Sequence, residues 1–485
     1  MVANKALING SSGHQVKMII GGIVTLGLAL GLWFTHMPGV NTNQQHFLAL
    51  LAMVISLWGF EIIPVGIGAL FFLALVVMFK ITSPLVAFSG FSVPTVWLVF
   101  SALIIGIAAE NTGLGKRMAF WMITKAKADS PGKIMLAFYA VGAILTPLIP
   151  TVFGRLAILI PIALGLIAAL KLAQGDRMAK FILFSMYIGA QGIMLMFLTG
   201  TSQALIATGL LAHFGVRIYW DTYFVMWVVP SLVVNGGIWA IATYILFKPG
   251  KQHWGGNILQ VTGDERDKMG SMTVREKKLA IILLVIFFFW VTGSVTHLNP
   301  SWVGVIGTVC LFLPFVGVLE LKDIVGKLNF PVLLFFGSAL SIGEIMSKIG
   351  LDKWFSKLIA DNFHIANSGF MSTLTLGALI QALHIPLTAV NSSTAILVPI
   401  LGTYSVNHGI SPVWAAWVAL ASLSGILIFP YQDGPLLAVY GAGGGHIKMA
   451  DMIKVGIIVS VLALIAVPLL SVVWWSWTIP MMTGH

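Results

Sequence analysis

The chain has 485 residues, of which 58% are hydrophobic and only 9% charged; 27 Lys+Arg against 16 Asp+Glu give a formal charge of +11. Soluble domains carry about 25% charged residues, so this composition points to a polytopic membrane protein and against a soluble enzyme, a nucleic-acid binder or a secreted disulfide scaffold. The positive balance fits membrane topology, because cytoplasmic loops collect Lys and Arg, and the single cysteine, Cys310, permits no intrachain disulfide.

In chain order, Met1 to Gln15 is a short polar lead-in, and the first apolar run is long enough to span, which argues against a cleavable signal. Apolar runs of spanning length follow at 18–35, 46–62, 64–80, 93–112, 178–212, 222–247, 279–297, 302–319, 330–347, 412–445 and 452–478. They predict an all-α protein with about eleven transmembrane helices. Two more apolar stretches, 134–170 and 371–404, are interrupted near their middles. Pro147, Pro150, Thr151 and Gly154 break the first, and Pro386, Asn391, Ser392 and Ser393 break the second. Non-helical backbone at membrane depth is tolerated only against protein or a watery cavity. Both stretches are therefore expected to be re-entrant helical hairpins. The runs 178–212 and 412–445 are too long for one crossing. They should be discontinuous helices, broken at Thr199-Gly200-Thr201-Ser202 and at Pro430-Tyr431-Gln432-Asp433-Gly434-Pro435.

An N-terminus inside and a C-terminus outside places most of the 27 basic residues on the cytoplasmic side. The segment 248–278 then becomes a cytoplasmic linker between two halves that repeat. Ser101-Ala102-Leu103 recurs as Ser338-Ala339-Leu340. At the same offset Pro94 pairs with Pro331, Gly106 with Gly343, Gly113 with Gly350, Leu114 with Leu351 and Lys116 with Lys353. With one residue of slip, Ala157-Ile158-Leu159-Ile160-Pro161-Ile162 recurs as Ala395-Ile396-Leu397-Val398-Pro399-Ile400. The topology gives the copies opposite orientations, and inverted repeats with paired broken helices point to a secondary transporter and its binding site. The expected organisation is scaffold helices at 1–92, a first repeat at 93–247 with its hairpin at 134–170, the linker, scaffold helices at 279–329, and a second repeat at 330–485 with its hairpin at 371–404.

Candidate site residues lie where the interruptions converge. Arg155 stands mid-way through an apolar stretch, where an arginine costs at least about 2.5–3.5 kcal/mol. It reads as a fixed cation for an anionic carboxylate, or as a structural partner of Asp433 or Glu344. Thr151 and Gly154 share its tip and offer free amides. Asn391, Ser392, Ser393 and Thr394 open the returning half of the second hairpin, where unpaired N–H groups and the helix dipole suit a second carboxylate; they also read as a plain capping cluster. Thr199, Gly200, Thr201 and Ser202 should complete the pocket. His384 is either a titrating cation or a packed neutral ring. Asp433 is either a cation ligand or an N-cap. Glu61, Glu110 and Glu344 read as local partners, and Gly441-Ala442-Gly443-Gly444-Gly445-His446 as a helix end rather than a phosphate loop. No hydrolytic motif, cofactor site or metal-ligand set is read.

These residues carry a resemblance to the divalent anion/sodium symporter family, which covers nearly the whole chain. Family members show Ser-Asn-Thr at both tips, binding one carboxylate each and helping to form sodium sites. Here Thr151-Val152-Phe153 and Asn391-Ser392-Ser393-Thr394 stand at those places. Pro150-Thr151-Val152-Phe153-Gly154-Arg155 is similar at both ends to the Pro-Ser-Asn-Thr-Ala-Arg of the exchanger branch, which includes 2-oxoglutarate/malate translocators. The resemblance implies a homodimer with a scaffold part and a moving transport part, working by an elevator-type alternating-access mechanism. The expected function is antiport of di- or tricarboxylates, such as 2-oxoglutarate, malate, succinate, fumarate or citrate, across a bacterial cytoplasmic membrane. Expected partners are these carboxylate anions and membrane lipid, without nucleic acid. Physics favours exchange: a guanidinium keeps its charge, and an empty carrier would drag it unpaired across the barrier at a cost of several kcal/mol. The alternatives are a sodium-coupled symporter using Asp433, and an anion channel.

Overall fold

The computed structural model describes residues 2–60, 62–125, 130–149, 151–250, 267–363, 365, 367–384, 390–425, 432 and 434–483, with side chains from residue 18 onward. The described residues are helical throughout, without strands. A long first helix, α1 (Val2–Phe34), is followed by two series of helices. The first comprises α2 (Thr42–Gly59), α3 (Val65–Met78), α4 (Pro94–Thr112), α5 (Leu114–Lys125), α6 (Pro131–Leu148), α7 (Val152–Ala169), α8 (Arg177–Gln191), α9 (Ser202–Leu211) and α10 (Trp220–Phe247). The second comprises α11 (Val274–Val291), α12 (Pro300–Phe312), α13 (Phe330–Ile349), α14 (Leu351–Asn362), α15 (Phe370–His384), α16 (Val390–Asn407), α17 (Pro412–Ser424), α18 (Gly434–Ala442) and α19 (Met449–Thr483). Among the described residues, α4, α10, α13 and α19 are long and apolar enough to cross a membrane unaided; most of the other apolar helices are shorter or part of an interrupted run.

Helix n of the first series packs like helix n+9 of the second. α2 lies on α3 as α11 lies on α12, and α6 on α8 as α15 on α17. The series also interlock: α3 runs along α13 while α12 runs along α4, and α9 packs on α16 while α18 packs on α7. The matched sequence blocks occupy matched places. Gly113 and Gly350 end α4 and α13 in the left-handed conformation, with φ of 79° and 72°, which glycine adopts without steric cost. Pro161 and Pro399 sit inside α7 and α16. Pro230 immediately precedes a π-helical stretch in α10 (Ser231–Gly237), and Pro468 lies just before one in α19 (Ser471–Trp475). A proline removes a regular backbone hydrogen bond; the Met226 carbonyl freed by Pro230 accepts instead from the indole N–H groups of Trp474 and Trp475, at 3.2 and 3.0 Å.

Interior packing uses close backbone contact and stacked aromatics. A side chain on Gly142 of α6 would run into the backbone of Gly189 on α8, and one on Gly189 into that of Phe138. Such small-residue contacts draw helices together where lipid gives no hydrophobic drive. Trp227, Trp417 and Trp475 join α10, α17 and α19 edge to face, with centroids 5.5 Å apart for Trp227–Trp417 and for Trp227–Trp475.

The first interrupted stretch is a helix–break–helix unit, α6–α7, with Pro150 outside the described residues; in the second, α15 ends at His384 and α16 begins at Val390, and residues 385–389 lie outside the described residues. The first long run breaks earlier than expected. α8 ends at Gln191, and residues 192–201 are turns with one short 3-10 helix, Leu198–Gly200. The apolar run Ile193 to Leu198 disguises this break, because hydrophobicity alone does not distinguish helix from a buried irregular segment. In the second long run, α17 ends at Ser424 and α18 begins at Gly434; most of the expected break, including Pro430, Tyr431 and Asp433, is outside the described residues. Of the 248–278 linker, residues 251–266 are likewise outside. The glycine run closes α18: the helix ends at Ala442, and Gly444 and Gly445 take φ of 59° and 78°.

Candidate functional site

Thr151 begins the first tip. It is the N-cap of α7, and its Oγ1 accepts from the Gly154 amide at 3.1 Å, which follows from a threonine three residues before a glycine at a helix start. Asn391 and Ser392 lie in the first turn of α16. These two tips face a cavity of about 710 Å³ that is also lined by the broken helices α8–α9 and α17–α18. Its lining includes Thr151, Gly154, Thr201, Ser202, Asn391 and Ser392. The Ser392 Oγ is buried and has no hydrogen-bond partner among the described residues. Sequence reasoning missed four further polar residues on the wall: Gln191, Gln203, Ser424 and Gln432. Each sits at a break, and that position was the signal available. The opposite wall, from α3, α4 and α13, is apolar (Ala102, Leu103, Ile107, Val332, Phe335), apart from Glu110, Lys327 and Asn329 at the exposed mouth. There Lys327 pairs with Glu110 at 3.3 Å and with Asn111 at 2.6 Å.

Six expected site residues stand behind the wall rather than on it. Arg155 is completely buried. Its Nε donates to the Ala190 carbonyl at 2.6 Å, and its Nη1 to the carbonyls of Ile149 at 2.6 Å and Gly200 at 3.1 Å. The direct carboxylate contact expected of Arg155 is absent from this arrangement. The reason is local: the end of α8, the first tip and the 192–201 break leave carbonyls that no helix satisfies, and the guanidinium reaches three of them. Its Nη2 is buried without a hydrogen-bond partner among the described residues. Glu344 does not balance it; that carboxylate pairs with His213 at 2.8 Å. Gly200 thus contributes a carbonyl to Arg155, and the Thr199 Oγ1 accepts from the Trp220 indole at 3.2 Å.

In the second hairpin, His384 is fully buried with its Nδ1 3.1 Å from the Ser393 Oγ, and its Nε2 has no partner among the described residues. The Thr394 hydroxyl donates back to the Val390 carbonyl at 2.9 Å, an intrahelical bond common for threonine. Ser393 and Arg155 stand at matched repeat positions; behind the tips lie Arg155 on the returning helix of one hairpin and the packed, buried His384 ring on the leading helix of the other. Asp433 and Glu61 lie outside the described residues.

The geometry can hold an anion with two separated acceptor clusters, one at each tip, in a cavity closed by apolar side chains. Residues 17–481 match the family described as sodium:sulfate symporter transmembrane region. The chain is 26% identical to a citrate/succinate antiporter of Escherichia coli, covering 79% of this chain and 80% of that protein. It is 26% identical to an L-tartrate/succinate antiporter of the same organism, covering 80% of each. The fold is similar to that of the Alcanivorax borkumensis YdaH transporter, with a TM-score of 0.54 at 15% identity over 81% of this chain and 88% of that one. The match across nearly the whole chain places this protein in the sodium:sulfate symporter family of integral membrane transporters.

Proposed function

We propose that the protein exchanges di- or tricarboxylates across a bacterial cytoplasmic membrane, with its N-terminus inside, as a homodimer that works by elevator-type movement of the hairpins and broken helices. The observation that carries the exchange reading is the buried Arg155 guanidinium, which has no carboxylate partner among the described residues. A unit charge near a substrate carboxylate contributes on the order of a few kcal/mol at an effective dielectric near 20. A bound dianion neutralises that charge for the crossing, and an empty site leaves it with carbonyl contacts but no substrate counter-charge, so the empty return is slow. The antiporter relatives support carboxylate exchange. The placement of polar groups supports the elevator motion: they lie on the hairpins and broken helices, and the facing wall is apolar below its mouth, so sliding breaks few hydrogen bonds. The Thr151 hydroxyl would receive one carboxylate, with the Gly154 amide, expected to be free, engaged instead in holding the Thr151 Oγ1; Asn391 and Ser392 would receive the other, with Thr201 and Ser202 completing the wall.

The test is counterflow in proteoliposomes. Internal succinate, malate or citrate should accelerate uptake of labelled carboxylate by at least tenfold, and a sodium gradient into empty vesicles should not. Strong sodium-driven uptake into empty vesicles would favour the symporter instead. Arg155→Gln should abolish exchange; if it also prevents folding, the carbonyl contacts of Arg155 are its main role.

A further inference from the structure

The cavity wall carries a further polar pair outside its two tips. Gln203 in the first turn of α9 and Ser424 at the end of α17 meet where the two broken helices face each other. The Ser424 hydroxyl donates to the Gln203 Oε1 at 3.1 Å, both residues are almost completely buried, and both line the cavity. No other hydrogen bond ties the Gln203 side chain to a described residue, so with Oε1 engaged its Nε2 N–H pair remains available to a ligand. Around it the wall carries Thr201, Ser202, Gln191 and Gln432, all neutral. The charged residues on the described lining, Glu110 and Lys327, are at the mouth and paired with each other. A neutral donor held in one orientation between two carboxylate positions matches an uncharged oxygen on the chain that joins the carboxylates.

We propose that Gln203 is a specificity-determining residue that makes the site prefer 2-hydroxy-dicarboxylates over their deoxy analogues, and that Ser424 is the positioning residue that orients its carboxamide. This rests on the carboxylate-exchange reading. A site built to hydrogen-bond a substrate hydroxyl disfavours the analogue lacking it, because its polar group is then left unpaired. The terminal carboxylates remain with the tips, so loss of Gln203 should spare substrates that lack the hydroxyl.

The experiment compares counterflow KM values for malate and succinate in proteoliposomes of the full chain. Wild type should prefer malate by about tenfold. Gln203→Leu, close in size but without the amide, should raise the malate KM about tenfold and leave the succinate KM within twofold. Ser424→Ala should move the ratio part of the way, and Ser424→Thr, which keeps the hydroxyl, should restore it. Gln203→Met provides a second variant if the leucine protein is not recovered as a monodisperse species. An unchanged malate-to-succinate ratio, or an equal loss for both substrates, overturns the proposal while the exchange reading stands. A wild-type protein that counterflows neither substrate overturns both.

Discussion

Near the start of α11 the Arg117 guanidinium binds the Glu276 carboxylate at 2.7 Å and reaches the carbonyls of Met269 and Gly270 at 3.2 and 2.7 Å. Burial pushes the Glu276 carboxyl up, but hydrogen bonds from Arg117 and Thr273 and the Arg117 charge outweigh it and hold the carboxyl below its ordinary value. A depressed folded value means that this contribution to stability is present above the ordinary carboxylate range and is lost as pH falls through the folded value. Glu276→Gln should therefore lower the thermal midpoint at pH 7, and the gap from wild type should close only as pH drops below the ordinary carboxylate value of about 4. A gap independent of pH would remove the ionic explanation. Arg155 shows where residue-scale reading stops. Sequence reveals that an arginine in an apolar run needs a partner, but not whether the partner is a ligand or the backbone. Here three carbonyls from different segments come together only after folding. The tip residues Thr151 and Asn391 were legible because their positions follow from local interruption of a helix. Gln203 and Ser424 were not, because their meaning depends on two breaks, far apart in sequence, coming face to face.

At the scale of elements, the apolar runs located nearly every long helix, while α5 and α14 went unread. Both are short helices of mixed polarity placed directly after Gly113 and Gly350, so neither gives a spanning signal. Their presence was implicit in the repeat, because Leu114 pairs with Leu351 and Lys116 with Lys353 at the same offset as the two glycines. They are anchored differently. α5 holds the linker and α11 through Arg117, whereas α14 holds the second hairpin, with the Thr403 hydroxyl of α16 donating to Asp352 at 2.8 Å. Each turn into these helices depends on its left-handed glycine. A β-branched residue at φ 72° costs at least about 1–2 kcal/mol. Gly350→Val should thus lower the thermal midpoint by several degrees, and Gly350→Asn, which tolerates this conformation better, by less. Equal losses for the two variants would show that local space, not backbone conformation, decides the position.

For the whole molecule, the interlocked series place two polar side-chain pairs towards opposite ends of α13. Lys327 and Glu110 stand at the mouth of the cavity, just before α13 begins. Glu344, about 22 Å further along at 1.5 Å per residue, pairs with His213, which follows α9. Between these ends α9 packs against α13, where Leu210 fills the space beside Gly343. Under the proposed alternating access the two ends of an inverted repeat would exchange roles, so the arrangement with the Glu110 end open would have a counterpart open at the Glu344 end. Cys310 is the one cysteine in the chain, so Cys310→Ser gives a background for placing single thiols. Gly106→Cys lies on the cavity wall with open space around its new side chain, and should react with an impermeant thiol reagent from one membrane face only, with protection by carboxylate. Leu210→Cys, fully buried, should resist labelling at rest and react from the opposite face during exchange. Glu344→Gln, which removes the carboxylate paired with His213, should increase that labelling by making the sealed end easier to open. Labelling of both thiols from the same face, unaffected by substrate, would mean that the cavity has a single fixed entrance, and the alternating-access mechanism would fall.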